Sequence, residues 1–228
     1  MIALLVFGLL LLLGAGFPSW WVRSVLAKYR QPTDRYQWSG ADVARDLLQR
    51  LEIDGVRVEQ TAQGDHYDPE ARCVRLTPEH YEGHSLTAVT VAAHEVGHAI
   101  QDAAGYGPLR WRTRLARWAH WGQRLGAGLL VGLPVILAVT RSPALLLPAA
   151  GLGVAGLMGG VAVHMLTLPV EFDASFRRAM PLLSAGYLHA PDPPHARRIL
   201  RAAALTYVAA AAASLLNVWF WLRLLRPW

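Results

Sequence analysis

Cysteine and charged residues are scarce in this chain of 228 residues. Its single cysteine, Cys73, cannot form an intrachain disulfide, so nothing in the sequence requires an oxidising compartment. Charged residues make up 17% of the chain and hydrophobic residues 54%, a balance that excludes an ordinary soluble domain. Asp, Glu, Lys and Arg are missing altogether from four long stretches: residues 1–22, 125–140, 142–170 and 202–222.

These four uncharged stretches predict membrane-spanning helices, because a spanning helix needs about 20 mostly apolar residues. The stretch 125–140 is short, and the tryptophans before it can extend it into the membrane interface. No positive charge precedes Arg23, whereas a signal peptide normally opens with one. We therefore expect residues 1–22 to be a retained anchor helix.

Lys and Arg are unevenly distributed between the predicted spans. Fourteen lie between the first and second spans and five between the third and fourth, against one in the hairpin turn and two after the last span. The positive-inside rule then puts both polar segments in the cytoplasm of a multi-pass cell-membrane protein. The predicted order is a transmembrane anchor (1–22), a cytoplasmic region (23–124), a transmembrane hairpin (125–168), a second cytoplasmic segment (169–201) and a last transmembrane helix (202–222).

Local patterns predict an α+β region between the first two spans. A helix begins at Ser39, two strands cover residues 56–61 and 72–77 with a turn between them, and a longer helix covers about 85–102. The whole chain is therefore predicted to be a mainly α-helical integral membrane protein with about four spans. In the hairpin, Gly128–Gly132 and Gly156–Gly160 follow the GxxxG pattern of closely packed membrane helices.

Residues 109–124 are rich in arginine and tryptophan and directly precede the second span. The arginines of one helical stripe are Arg110, Arg114, Arg117 and Arg124. The neighbouring apolar stripe contains Trp111, Leu115, Trp118 and Leu125. This arrangement predicts an interfacial helix on anionic lipid, with a solvated helix packed on the polar region as the alternative. Nucleic acid is not an expected partner, because the arginines border a membrane segment.

His94, Glu95 and His98 form an HExxH motif inside the predicted helix 85–102. Two histidines four residues apart share one helical face, so their imidazoles can hold one metal ion. Glu95 follows the first histidine and can reach water bound to that ion. The alternative is a surface helix with two incidental histidines. Their neighbours are small and apolar, however, and burying unpaired polar groups is costly.

A zinc peptidase needs a third protein ligand and one open position for water. The metzincin pattern would place a histidine at position 104, which is Ala104 here, so this class is excluded. Gluzincins take a distant glutamate instead, and Glu171 is the only glutamate after Glu95. Two predicted spans separate His98 from Glu171, which returns both to one side of the membrane. The alternative for Glu171 is an interfacial acid paired with a nearby arginine.

The sequence resembles the YugP-like bacterial membrane zinc metallopeptidases from about residue 1 to residue 205. The resemblance is carried by the stretches DHYDP, RCVRLTPEHY, SLTAVTVAAHEVGHAIQDAAGY, PLRWR and LPVEFDAS. It implies Zn²⁺ bound by His94, His98 and Glu171, with Glu95 catalytic, in a gluzincin-like protein more distantly similar to HtpX-like proteases. Those proteases usually carry an Asp four residues after the metal glutamate, where this chain has Ser175.

The expected activity is zinc-dependent hydrolysis, by an endopeptidase, of a peptide or membrane-protein substrate. Zinc lowers the pKa of its bound water, and Glu95 accepts the proton as that water attacks the peptide carbonyl. Candidate oxyanion donors are Arg178, Tyr187 and His189, and strand 72–77 could offer an edge to an extended substrate. The alternatives are a catalytically inactive zinc-binding membrane scaffold and a membrane protein assembly factor without metal. A closed structural site would want four protein ligands, and the sequence offers three.

Overall fold

The structure, a computed structural model, describes residues 20–224 and is mainly helical with one small sheet. It divides into two compact units. The first, which we call the polar unit, contains the described residues 20–109 and 169–206, and the second, the apolar unit, contains residues 110–168 and 207–224. Most of the predicted anchor, residues 1–22, lies outside the described residues; its last three residues begin helix α1, residues 20–28.

The helix predicted from Ser39 is confirmed as α2, Gly40–Arg50. Ser39 is its N-cap and forms a capping box with Asp42, in which each side chain accepts a hydrogen bond from the other residue's backbone N–H. Val43 and Leu47 are buried at 1% exposure, so one apolar side of α2 faces the core.

Three short strands form the sheet of the polar unit: β1, Arg57–Gln60, β2, His66–Asp68, and β3, Cys73–Leu76. The two predicted strands correspond to β1 and β3, whereas β2 lies where only a turn was expected. The order is β1-β3-β2, with β1 parallel and β2 antiparallel to β3. The expectation that β3 offers a free edge is therefore wrong, because β1 and β2 occupy both of its sides and β2 is an edge strand.

The predicted long helix is confirmed as α4, Leu86–Ala103, and follows the short helix α3, Pro78–Tyr81. Ser85 caps α4 by accepting a hydrogen bond from the backbone N–H of Ala88. Val89, Ala92 and Val96 are fully buried, which makes α4 the central helix of the core.

Helices α5, Gly107–Thr140, and α6, Leu146–Phe172, follow. A turn of π-helix, Asp173–Ala179, then leads to α7, Met180–Ser184, and later to α8, Pro193–Leu224. Within residues 20–224, three helical segments are long and apolar enough to cross a membrane: Gly107–Thr140, Leu146–Ser184 and Pro193–Arg223. Residues 109–124 are the first half of the continuous helix α5 rather than a separate helix. The predicted hairpin turn is confirmed at Arg141, which has a φ of 51°.

Helices α5 and α6 pack closely at glycine residues, but only some of the glycines predicted from the GxxxG patterns lie at this contact. A Cβ added to Gly126 would lie 2.6 Å from the carbonyl oxygen of Gly153 and 3.0 Å from the Cα of Gly156. Backbones can approach this closely only because glycine has no side chain. The predicted close approach is not made at Gly128 and Gly132 within the described part of the chain, where a Cβ on either would have no neighbour within 4 Å.

Candidate metal centre

Two elements of the polar unit bring the predicted site residues together. Helix α4 contributes His94, Glu95 and His98, and the last turn of α6 contributes Glu171. All four side chains are buried, with exposures of 9%, 7%, 6% and 2% in that order. Burying four ionisable groups side by side would be costly without partners or a metal ion to compensate them.

His94, His98 and Glu171 each direct a possible ligand atom toward a common point. The Oε2 atom of Glu171 lies 3.2 Å from Nε2 of His94 and 3.5 Å from Nε2 of His98. One donor atom from each residue lies within 4.8 Å of the other two. For tetrahedral zinc with bonds of about 2.0–2.1 Å, two ligand atoms lie about 3.3–3.4 Å apart. The spacing and the mixed nitrogen and oxygen donors therefore fit a zinc ion.

The outer nitrogen of each imidazole has its own hydrogen-bond partner. Nδ1 of His94 lies 3.1 Å from the hydroxyl of Ser175, and Nδ1 of His98 lies 3.0 Å from Oε1 of Gln101. Metal-binding histidines usually have such a partner, which orients the ring and leaves the other nitrogen to the metal. Here both Nε2 atoms face Glu171.

Close backbone packing holds the glutamate segment against α4. A Cβ added to Gly97 would lie only 2.7 Å from the carbonyl oxygen of Ala174 in the π-helix. The glycine between the two histidines thus permits the approach that places Glu171 beside them. π-Helical turns are rare and occur mostly at functional sites, which is consistent with this one beginning two residues after Glu171.

Glu95 lies beside the histidines but is not part of the converging triad. Burial raises the pKa of its carboxyl to about 7, with the charge of His94 opposing the shift and those of Glu171 and Asp65 adding to it. The backbone of Tyr67 lies near this carboxyl and opposes the rise in its pKa. Tyr67 belongs to β2, so the edge strand lies next to the candidate general base.

The three candidate oxyanion donors lie in different places. Arg178 donates from Nε to Asp173 over 2.6 Å, and Asp173 in turn accepts from Gln101, which ties Arg178 to the centre. Tyr187 donates its hydroxyl hydrogen bond to Asp46 of α2. His189 stacks on Tyr36 with ring centroids 4.6 Å apart. Tyr187 and His189 are therefore held by other parts of the polar unit.

Gln101 and Ser175 were not predicted to support the site. Two sequence signals could have identified them. Gln101 is a polar residue in an apolar helix, one turn after His98, and Ser175 stands four residues after Glu171, where related proteases have an acid.

Comparison with known proteins gives the class of the molecule. A family model described as "putative neutral zinc metallopeptidase" matches residues 2–226. The chain is also 34% identical over 199 residues to the "putative membrane protease YugP" of Bacillus subtilis (strain 168), covering 86% of this chain and 85% of that protein. No solved structure matches it. The chain therefore belongs to this zinc metallopeptidase family, which confirms the resemblance and identifies zinc as its metal.

Proposed function

We propose that the protein is a membrane-embedded endopeptidase whose zinc ion is held by His94, His98 and Glu171. The observation that carries the proposal is the buried convergence of two imidazole nitrogens and one carboxylate oxygen at separations of 3.2 and 3.5 Å from that oxygen. Three protein ligands leave one position open on tetrahedral zinc, as in catalytic rather than structural sites.

In the proposed mechanism, Glu95 is the general base. Zinc supplies a Lewis acid that acidifies water and polarises the peptide carbonyl. Glu95 stands next to His94 in sequence and is buried at 7% exposure, so its carboxylate can accept the proton of the attacking water and later return it to the leaving amine. Ser175 and Gln101 hold the imidazoles in orientation.

The edge strand β2 is the proposed docking place of the scissile segment. An edge strand presents unpaired backbone groups, and an extended peptide can add to it as a further strand. Because the backbone of Tyr67 in β2 lies near Glu95, a peptide bound there would pass close to the proposed general base. The substrate class is therefore an extended segment of a peptide or of a membrane protein.

We further propose that the centre faces the cytoplasm. Residues 1–22 would supply a fourth span, in addition to the hairpin 125–168 and the last helix 202–222. The cytoplasmic regions would be residues 23–124 and 169–201, where Lys and Arg concentrate.

Residues 109–124 are the proposed contact with anionic lipid. The tryptophans Trp111, Trp118 and Trp121 are 63%, 78% and 62% exposed. Arginines flank them in α5, and the sequence between Asp102 and Glu171 contains no Asp or Glu. Tryptophan and arginine together suit the headgroup region of an anionic bilayer.

The experiment that tests the enzyme proposal compares metal content with proteolysis. Purified protein should hold about one zinc per chain, and His94→Ala or His98→Ala should lose most of it. Glu95→Gln should retain zinc and fold, yet cleave an unstructured protein such as casein about 10²–10⁴ times more slowly. Glu171→Gln should weaken zinc binding itself.

The alternative, a zinc-binding scaffold without activity, predicts a different pattern. Wild type would then bind zinc and cleave no better than Glu95→Gln against any substrate tested. An assembly factor without metal would hold no zinc at all.

A further inference from the structure

Gln101 is a fully buried polar side chain where α4 meets the segment that carries Glu171. Its exposure is 0%. The amide has three neighbours: Oε1 lies 3.0 Å from Nδ1 of His98, and Nε2 donates to the carbonyl oxygen of Val170 over 2.8 Å and to Asp173 over 2.9 Å. Val170 and Asp173 stand on either side of Glu171 in the chain. One side chain thus contacts a histidine of the motif and both flanks of the glutamate.

Hydrogen-bond chemistry allows this amide one orientation. A backbone carbonyl only accepts, and Oδ2 of Asp173 accepts from Nε of Arg178 as well. The NH₂ group of Gln101 must therefore face Val170 and Asp173, which turns Oε1 toward His98.

This orientation in turn selects the tautomer of His98. An amide oxygen only accepts, so Nδ1 of His98 must carry the proton. A neutral imidazole protonated at Nδ1 has its lone pair on Nε2, the atom that lies 3.5 Å from Oε2 of Glu171. The hydroxyl of Ser175 beside His94 can donate or accept, so it imposes no such choice.

We propose that Gln101 is the positioning residue that couples the two halves of the zinc centre. It presents the free nitrogen of His98 and, through the same amide, anchors the backbone around Glu171. This inference rests on the proposed zinc centre. Because the coupling acts on the ligands, its loss should change zinc affinity much more than the turnover of zinc-loaded protein.

The first test is the zinc dissociation constant of Gln101→Met, measured by chelator competition. Methionine fills similar space without hydrogen bonds, and we expect about 10–100-fold weaker binding, the usual cost of losing such a partner. The visible spectrum of the cobalt-substituted protein should change as well, because the ligand field depends on the orientation of His98.

The matched control is Thr90→Val on the same helix. Thr90 is also fully buried, but its hydroxyl has no hydrogen-bond partner among the described residues. Removing this buried polar atom should leave zinc affinity unchanged, which separates an effect on the centre from a general effect of altering the core of α4.

The second test restores the hydrogen bond between positions 101 and 173 with its donor and acceptor exchanged. Gln101→Glu keeps an acceptor for His98 but sets a carboxylate against Asp173, so zinc binding should weaken. Adding Asp173→Asn supplies a donor to that carboxylate, and affinity should recover in part. The same Asp173→Asn change should bring no recovery to Gln101→Met.

Two outcomes would overturn the inference: zinc binding by Gln101→Met within twofold of wild type, or no recovery in the double variant. If His94→Ala releases zinc while Gln101→Met does not, the zinc centre stands and only the role of Gln101 fails. If wild type holds no zinc, the proposed function fails first.

Discussion

Gly97 is the position where one added methyl group tests the geometry of the centre most directly. In Gly97→Ala the new Cβ would lie 2.7 Å from the carbonyl oxygen of Ala174 and 3.3 Å from its carbonyl carbon and Cα. Ordinary contact begins at 3.4 Å, so α4 and the π-helix must separate by about 3.4 − 2.7 = 0.7 Å. Both surfaces are backbone, so no flexible side chain can absorb the movement.

The cost of this movement should fall more on metal binding than on folding. Overpacking costs about 1–3 kcal/mol and alanine recovers about 1 kcal/mol through helix propensity, so the net loss of global stability should be about 0–2 kcal/mol. Zinc ligand distances, by contrast, tolerate only about 0.2 Å. If the strain of about 1–3 kcal/mol falls on the zinc-bound state, affinity should drop about 5- to 150-fold.

Chelator competition on purified Gly97→Ala measures this drop. Gly128→Ala is the control, because a Cβ there meets no atom of residues 20–224 within 4 Å and zinc affinity should stay at the wild-type value. If Gly97→Ala bound zinc as tightly as wild type, the spacing between α4 and the π-helix would not determine the ligand geometry, and the reasoning would be refuted.

Two further predictions concern topology and pH. With Cys73 replaced, single cysteines introduced at Gly64 and Ser184 should resist an impermeant thiol reagent added outside intact cells, and labelling at either would overturn the cytoplasmic assignment. Burial opposes ionisation of Asp192, but hydrogen bonds from Arg35 and Tyr36 lower its pKa below the usual value. Its stabilising contribution is therefore present at neutral pH and lost as pH falls below about 4. In metal-free protein, Asp192→Asn should lower the thermal midpoint at pH 7 and reduce its further fall between about pH 4 and pH 2; an unchanged acid response would contradict this.

Site residues could be predicted from the sequence where they lie close together in the chain or where few candidates exist. His94, Glu95 and His98 lie within five consecutive residues of one helix, and Glu171 is the only later glutamate, so helical periodicity and elimination sufficed to bring them together. The contacts of Gln101 could not be predicted in the same way. Its partners Val170 and Asp173 are distant in sequence, and only tertiary packing brings them to α4.

The missed strand β2 and the predicted contact at Gly128 and Gly132 have a similar cause, because both depend on tertiary packing. Strand β2 was missed because its three residues lie among turn-forming residues and pair with β3, a contact that local pattern does not encode. In the hairpin, a GxxxG pattern marks small residues but not which face of the helix meets its neighbour. By pattern alone, Gly128 and Gly132 are equivalent to Gly122 and Gly126, and the backbones of the latter two both approach Gly156 of α6 closely.

The position of Glu171 after the hairpin has a consequence for biogenesis. In the proposed topology, the ribosome completes His94 and His98 before either helix of the hairpin, α5 or α6, is made. The third ligand reaches the histidines only when both helices have entered the bilayer and the chain has returned to the cytoplasm. A nascent or misinserted chain thus carries only two of the three proposed ligands, so the proposed proteolytic activity would arise only in molecules that have completed this part of their insertion.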